Sequence, residues 1–281
     1  MGKSRTTWIK VFIFTILAGI ILYWGFQQIQ ARLPRKLVSI ILPTRIKVMT
    51  YAINYGNGND GIHSLPRIAK VIRSESPHLV CLNNVDYKTN RAMNEEQARR
   101  LAADLGMNFT FARNSSLDGG WTGNAILSEF PIEFAENKIY KEGYSRETKS
   151  LLHIIIRKGE RRLHFFGTEL SADSLRSANQ IKELLDFVFD WGSEDPIIIC
   201  GNFNLRPTHR RIHEMAYYFN DVGLYLRDKP ATWPAQNPQT RYDYIFINKL
   251  LLPVAISIPD NELTQLASTH LPVVAQLKFV E

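Results

Sequence analysis

The chain has 281 residues, 45% of them hydrophobic and 22% charged, which excludes a disordered or fibrous polymer and leaves room for a sizeable core. Its formal net charge of +7 resides wholly in residues 1–47, which hold Lys3, Arg5, Lys10, Arg32, Arg35, Lys36, Arg45 and Lys47 and no acid. The remainder has one more acidic than basic residue, so no broad basic surface is predicted and nucleic acid is not an expected partner.

Residues 1–10 form a short basic N-terminus. Residues 11–31 contain no charged side chain, and the run ends in Tyr23, Trp24 and Phe26. That length and aromatic flank predict a transmembrane helix. No small-x-small cleavage pattern follows, so the segment reads as an uncleaved anchor with the lipid bilayer as its partner. A short N-terminus ahead of one long domain predicts a single-pass membrane protein whose main domain is extracytoplasmic. Residues 32–45 form a linker, and residues 46–281 the main domain.

Within that domain, Ile46–Ile53 is the first predicted strand, and the Gly-, Asn- and Asp-rich Asn54–Gly61 a loop. Ser64–Ser76 carries Leu65, Ile68, Ala69 and Ile72 at helical spacing and is stopped by Pro77. Leu79–Val85 is a second buried strand. A helix over about Glu95–Leu105 ends at Gly106. The middle is strand-rich, with Asn124–Ser128, Ser150–Ile156 and Leu163–Thr168, the last two joined by a basic turn at Arg157–Arg162. A longer helix covers Leu175–Phe189, and a less regular pattern fills Thr208–Phe219. The apolar run from Ile197 delivers Gly201, Asn202 and Asn204 to a strand end. Tyr242–Ile247 and Pro272–Val280 close the chain. Cys81 and Cys200 sit in apolar runs and read as buried thiols.

Many short strands with few helices predict an α/β (α+β) protein built as a two-sheet sandwich with helices outside. Asn84, Glu169, Asn202, Asn204, Asp243 and His270 all fall at strand ends, and their convergence on one edge would form a pocket.

The order of short motifs resembles the endonuclease/exonuclease/phosphatase superfamily over about Arg45 to Val280. Thr50-Tyr51-Ala52-Ile53 stands where the family has T-Y-N-I, and Leu82-Asn83-Asn84-Val85-Asp86 where it has L-Q-E-V-D. Gly123–Ser128 matches G-N-A-I-L-S. Thr168-Glu169-Leu170 matches T-H-L and is followed by the familiar Arg176 and Gln180. Gly201-Asn202-Phe203-Asn204 matches G-D-F-N, Asp243–Phe246 matches D-Y-I-F, and Ser268-Thr269-His270-Leu271-Pro272 matches S-D-H-L-P. The resemblance implies a four-layer α/β/β/α sandwich with metal-assisted phosphoester hydrolysis at one end.

The departures fall on the chemistry. Asn124, Asn204, Asp243 and His270 keep the family residue. Asn84 replaces a metal-binding glutamate, Asn202 a water-activating aspartate, and Thr269 the aspartate expected to support the metal and the histidine. Ala52 replaces an asparagine that shapes the site, and Glu169 a phosphate-contacting histidine. Magnesium is usually held through one or two carboxylates, and an amide cannot take a proton at neutral pH. A carboxylate at Glu169 would repel a phosphate, and His270 would lack an acidic partner. The sequence therefore predicts a membrane-anchored family member that is catalytically inactive or strongly impaired, with no cofactor expected. The alternative is a divalent-metal-dependent phosphodiesterase or phosphatase with an altered site. There Glu169 and Asp243 would hold Mg2+ or Mn2+, and the substrate would be a membrane-proximal phosphoester.

Overall fold

Alternation along β1 (Arg45–Ala52) sorts its side chains into two layers. Ile46 and Val48 join one buried cluster, while Met49 and Tyr51 join another on the opposite face. The structure is a computed structural model that describes residues 45–141, 147–158, 161–192, 194–226 and 231–280.

Among these residues there are two six-stranded sheets. The first comprises β1, β2 (Leu79–Tyr87), β3 (Asn108–Leu117), β4 (Gly120–Ser128), β11 (Leu251–Ser257) and β12 (Val273–Phe279), in the order β11-β12-β1-β2-β4-β3. The second comprises β5 (Phe134–Ile139), β6 (Ser150–Lys158), β7 (Arg161–Glu169), β8 (Ile197–Asn202), β9 (Asn220–Asp221) and β10 (Asp243–Ile247), in the order β5-β6-β7-β8-β10-β9. The sheets pack face to face through Val48, Cys81, Ile126, Ile154, Phe165, Ile198, Ile245 and their neighbours. Full burial of each such side chain contributes roughly 1.5–3 kcal/mol.

Helices cover the outer faces. On the first sheet, α1 (Leu65–Glu75) and α2 (Gln97–Leu105) bury Ile68, Ile72, Leu101 and Ala102 against Met49, Tyr51 and Leu82. The short α5 (Glu262–Ala267) adds Ala267 to the same layer. On the second sheet, α3 (Ser174–Asp190) and α4 (Arg210–Tyr218) bury Ile181, Leu184, Ile212 and Met215 against Phe166, Ile199 and Phe246. Asp173 caps α3 by accepting from the Leu175 and Arg176 amides, and Gly106 ends α2 in the left-handed region at φ 69°. This is the mixed two-sheet sandwich with outer helices that the sequence predicts.

Parallel pairing of β1 with β2 and of β7 with β8 sends four strand C-termini toward one end of the sandwich. That end holds the polar residues picked out above. Among the described residues no helix is long and apolar enough to cross a membrane. The anchor expected at residues 11–31 lies outside the described residues.

Candidate active site

Asn83 organises the end of the sandwich. The β2–β4 register slips between Leu82 and Val85, so both of those residues face the helices and an extra residue bulges between them. Asn84 takes the strained place in that bulge at φ 56°, which asparagine tolerates better than most residues. Asn83 points between the sheets and is fully buried. Its Nδ2 donates to Asn124 Oδ1 on β4 and to the Thr168 carbonyl on β7, each at 2.9 Å. Its Oδ1 accepts from the Asn202 amide on β8 at 2.9 Å. Asn124 Nδ2 reaches the Ser150 carbonyl at 3.4 Å, and Thr168 Oγ1 donates to the same carbonyl at 3.0 Å. Ser150 Oγ in turn donates to Asn114 Oδ1 at 2.6 Å. These bonds fix the register between the sheets. Asn124, expected as a retained site residue, belongs to this internal lattice.

The turn after β8 is built by its own sequence. Gly201 has φ 148°, and a Cβ there would lie 1.8 Å from the Thr168 carbonyl oxygen, so the site requires glycine. Phe203 is buried in the helix-facing core. Asn202 Oδ1 accepts from the Asn204 amide at 2.9 Å, a local Asx turn, and Asn204 Nδ2 donates to the Leu170 carbonyl at 2.8 Å. Both amides therefore work in part as turn-formers.

Strand register brings three predicted site residues side by side. Glu169 on β7 is paired with Asn202 on β8, which is paired with Asp243 on β10. His270 arrives from the loop before β12 and sets Nδ1 2.8 Å from Asp243 Oδ2. Asp243 is fully buried, and its second oxygen, Oδ1, has no hydrogen-bond partner among the described residues. Burial opposes a charge on His270. The Asp243 charge and hydrogen bond, with a smaller push from Glu169, outweigh it and raise the imidazole above its ordinary value. This corrects one expectation: Thr269 supplies no carboxylate, yet His270 has an acidic partner in Asp243. Thr269 instead accepts the Ala235 amide through its backbone carbonyl at 2.8 Å. Ala52 lies at the end of β1 with the parity of the inter-sheet side chains, and its carbonyl accepts from Ser268 Oγ at 2.6 Å.

Glu169 also differs from expectation. It is not an open, phosphate-repelling carboxylate, because Lys149 Nζ lies 2.8 Å from its Oε1 and 2.7 Å from Glu147 Oε1. Lys149 is 7% exposed. Burial opposes its charge, but Glu169 first and then Glu147 more than compensate, so the ammonium is held protonated. Lys149 belongs to none of the motifs. The only sign of it in the sequence is a lysine directly before a buried strand, which carries no functional signal by itself. Tyr55 completes this side: its ionisation is opposed first by burial, then by Glu169, and favoured by Arg91 and Lys149. Arg91 lies 3.3 Å over the Tyr55 ring and makes two bonds to buried Asp86, at 2.6 and 2.9 Å.

A divalent cation finds a poor donor set here. Among the described residues no group of three or more His, Cys, Asp or Glu side chains converges to hold one. Asn84, Asn202 and Thr269 bring no charge. Glu169 is bonded through Oε1 to an ammonium and Asp243 through Oδ2 to an imidazole, while the buried Asp243 Oδ1 has no hydrogen-bond partner among the described residues. As folded, these residues do not fit the metal that the resemblance implies.

Comparison with known proteins agrees with this architecture. Residues 54–264 match the model of the Endonuclease/Exonuclease/phosphatase family. An uncharacterised protein from Escherichia coli K12, YbhP, is 23% identical over 223 residues, covering 76% of this chain and 88% of that protein. An endonuclease/exonuclease/phosphatase from Beutenbergia cavernae superposes with a TM-score of 0.71 at 23% identity, covering 84% of this chain and 72% of that one. A mannosyl-6-phosphatase from Bacteroides thetaiotaomicron superposes with a TM-score of 0.69 at 16% identity, covering 83% of this chain and all of that one. The chain belongs to the endonuclease/exonuclease/phosphatase family.

Proposed function

We propose that this chain is a membrane-anchored family member whose site is catalytically inactive or strongly impaired in phosphoester hydrolysis. One observation carries the reading: each carboxylate in the row Glu169-Asn202-Asp243 is already bonded to a basic side chain, and the positions beside them are amide, hydroxyl or methyl. Hydrolysis needs an activated water and compensation of negative charge on the phosphoryl oxygens. Asn202 cannot act as the base, and loss of general-base help alone typically costs about 10²–10⁴-fold. Asp243 favours the protonated form of His270, the form that donates a hydrogen bond to an oxyanion rather than one that deprotonates water. The expected result is no turnover above background of a generic phosphodiester or phosphomonoester with Mg2+ or Mn2+. Robust turnover abolished by Asp243→Ala would contradict the reading.

A second reading keeps a phosphodiesterase or phosphatase activity with an altered metal site at Glu169 and Asp243. The open Asp243 Oδ1 favours it, because a buried carboxylate oxygen without a donor invites a cation. Calorimetric titration with Mg2+ or Mn2+ tests it, and the absence of heat attributable to binding would remove it. The uncharged run of residues 11–31 supports anchoring in a lipid bilayer as a single-pass protein with the main domain extracytoplasmic. Protease accessibility of that domain in intact cells, compared with lysed cells, tests the orientation.

A further inference from the structure

We infer that Lys149 is the fixed cation of this site and the group that excludes a divalent metal from it. The inference rests on the reading of an impaired site and assigns a cause within it. Lys149 is the best-buried cationic nitrogen touching the row of site residues, with side-chain exposure of 9%, matching the 9% of its partner Glu169. A buried ammonium persists only where carboxylates offset its desolvation, and Glu169 and Glu147 do so at 2.8 and 2.7 Å.

Charge balance along the row follows. Glu169 shares the Lys149 ammonium with Glu147 and Asp243 is hydrogen-bonded to His270, so both carboxylates of the row already have basic partners within the chain. A dication placed between Glu169 and Asp243 would lie over Asn202 and meet two carboxylates each already bonded within the chain, with the buried Asp243 Oδ1 lacking a partner among the described residues. It would also face an ammonium already bonded to the other carboxylate, and like charges a few ångströms apart strongly oppose each other in a partly desolvated site. The same geometry predicts what removal of the ammonium does. Glu169 and Asp243 stand two strand spacings apart, roughly 10 Å between backbones. Their side chains, with the Asn202 amide between them, would then offer two carboxylates to a hard cation, within the one or two through which magnesium is usually held.

The test is Mn2+ binding by the full chain in detergent or nanodiscs, read from the free-ion electron paramagnetic resonance signal. Lys149→Gln keeps an amide donor toward Glu169 and Glu147 while removing the charge, and Lys149→Met removes both. Lys149→Arg retains the charge. The expected result is at least ten-fold tighter Mn2+ binding by Lys149→Gln than by the unmodified chain, no gain in Lys149→Arg, and loss of the gain when Asp243→Ala is added. Failure of Lys149→Met to fold leaves the Gln and Arg pair decisive. A folded Lys149→Gln chain that binds Mn2+ no better than the unmodified chain overturns the role of Lys149 and leaves the impaired-site reading standing. An unmodified chain that already binds Mn2+ tightly, in a manner lost with Asp243→Ala, overturns both.

Discussion

At the scale of single residues, Asn83 and Asn84 show how adjacent identical side chains acquire different tasks. The bulge in β2 turns Asn83 inward, where one amide satisfies Asn124, Thr168 and the Asn202 backbone. Asn83→Ala leaves a buried amide N–H and two oxygens without partners, each worth about 1–3 kcal/mol and not fully additive. A loss of about 3 kcal/mol in urea denaturation is expected. Asn83→Asp is expected to cost more, since it sets a carboxylate against two oxygen acceptors in a buried site. A loss below 1 kcal/mol for either would show that Asn83 does not hold the sheets in register. The same reasoning alters any attempt to rebuild the family site. Glu169→His leaves the buried Lys149 ammonium with the exposed Glu147 as its one carboxylate partner among the described residues, so that substitution alone is expected to destabilise the fold, by up to about 3–5 kcal/mol for a broken buried pair. Adding Lys149→Gln is expected to recover most of that loss in the same denaturation measurement.

At the scale of elements, the strands that were legible in the sequence are the central ones. β1, β2, β6, β7, β8, β10 and β12 are paired on both sides or buried on both faces, so their apolar runs are dense. β3, β5, β9 and β11 were not predicted, and each lies at a sheet edge. β5 shows no buried residue, β11 carries Pro253 and a register shift, and the polar stretch of β3 contains another. Edge strands need only one partner and expose a face, which blurs the hydrophobic signal. α5 was missed because six residues are too few to display a period, although its Asn261–Thr264 capping box marks its start. Gly201, by contrast, stands in the Gly201–Asn204 motif for a steric reason. Gly201→Ala puts a methyl onto the β7 carbonyl at Thr168, and a loss of about 3 kcal/mol or more is expected in thermal or urea unfolding. A near-neutral result would mean that β7 and β8 can separate freely at the site.

At the scale of the whole molecule, two histidine environments make stability depend on pH in opposite directions. His153 and His164, on β6 and β7, share a hydrogen bond at 3.1 Å among Phe134, Phe166, Phe187 and Trp191, with Asp195 3.4 Å from His164. Burial first, then its neighbour His164, lowers His153 to about 3, and burial lowers His164 as well. Their folded values lie below the ordinary 6.5, so this stability is complete above about 6.5 and is lost as pH falls toward 3. Between pH 7 and pH 5 the loss from His153 is about 2 kcal/mol, and His153→Phe should flatten it in pH-dependent denaturation. His270 behaves conversely. Its raised value makes the Asp243 pair most stabilising below about 6.5, with the contribution fading as pH rises through the folded value.

Whether the site was legible depended on the kind of information needed. The row Glu169-Asn202-Asp243 with His270 was anticipated, because each residue ends a recognisable strand or motif. The two ion pairs were not, because Lys149 and Glu169 are 20 residues apart in sequence and meet only through strand pairing. A motif reports which residue types are present, and it is the pairing that sets their charge balance.

The central claim is that this site no longer supports metal-assisted phosphoester hydrolysis. It is tested most directly by measuring turnover of a generic phosphodiester and phosphomonoester with Mn2+ by two chains. One is unmodified. The other carries Ala52→Asn, Asn84→Glu, Glu169→His, Asn202→Asp and Thr269→Asp together with Lys149→Gln. The account predicts background turnover by the first and a gain of at least about 10²-fold by the second. Robust turnover by the unmodified chain, abolished by Asp243→Ala, would contradict it.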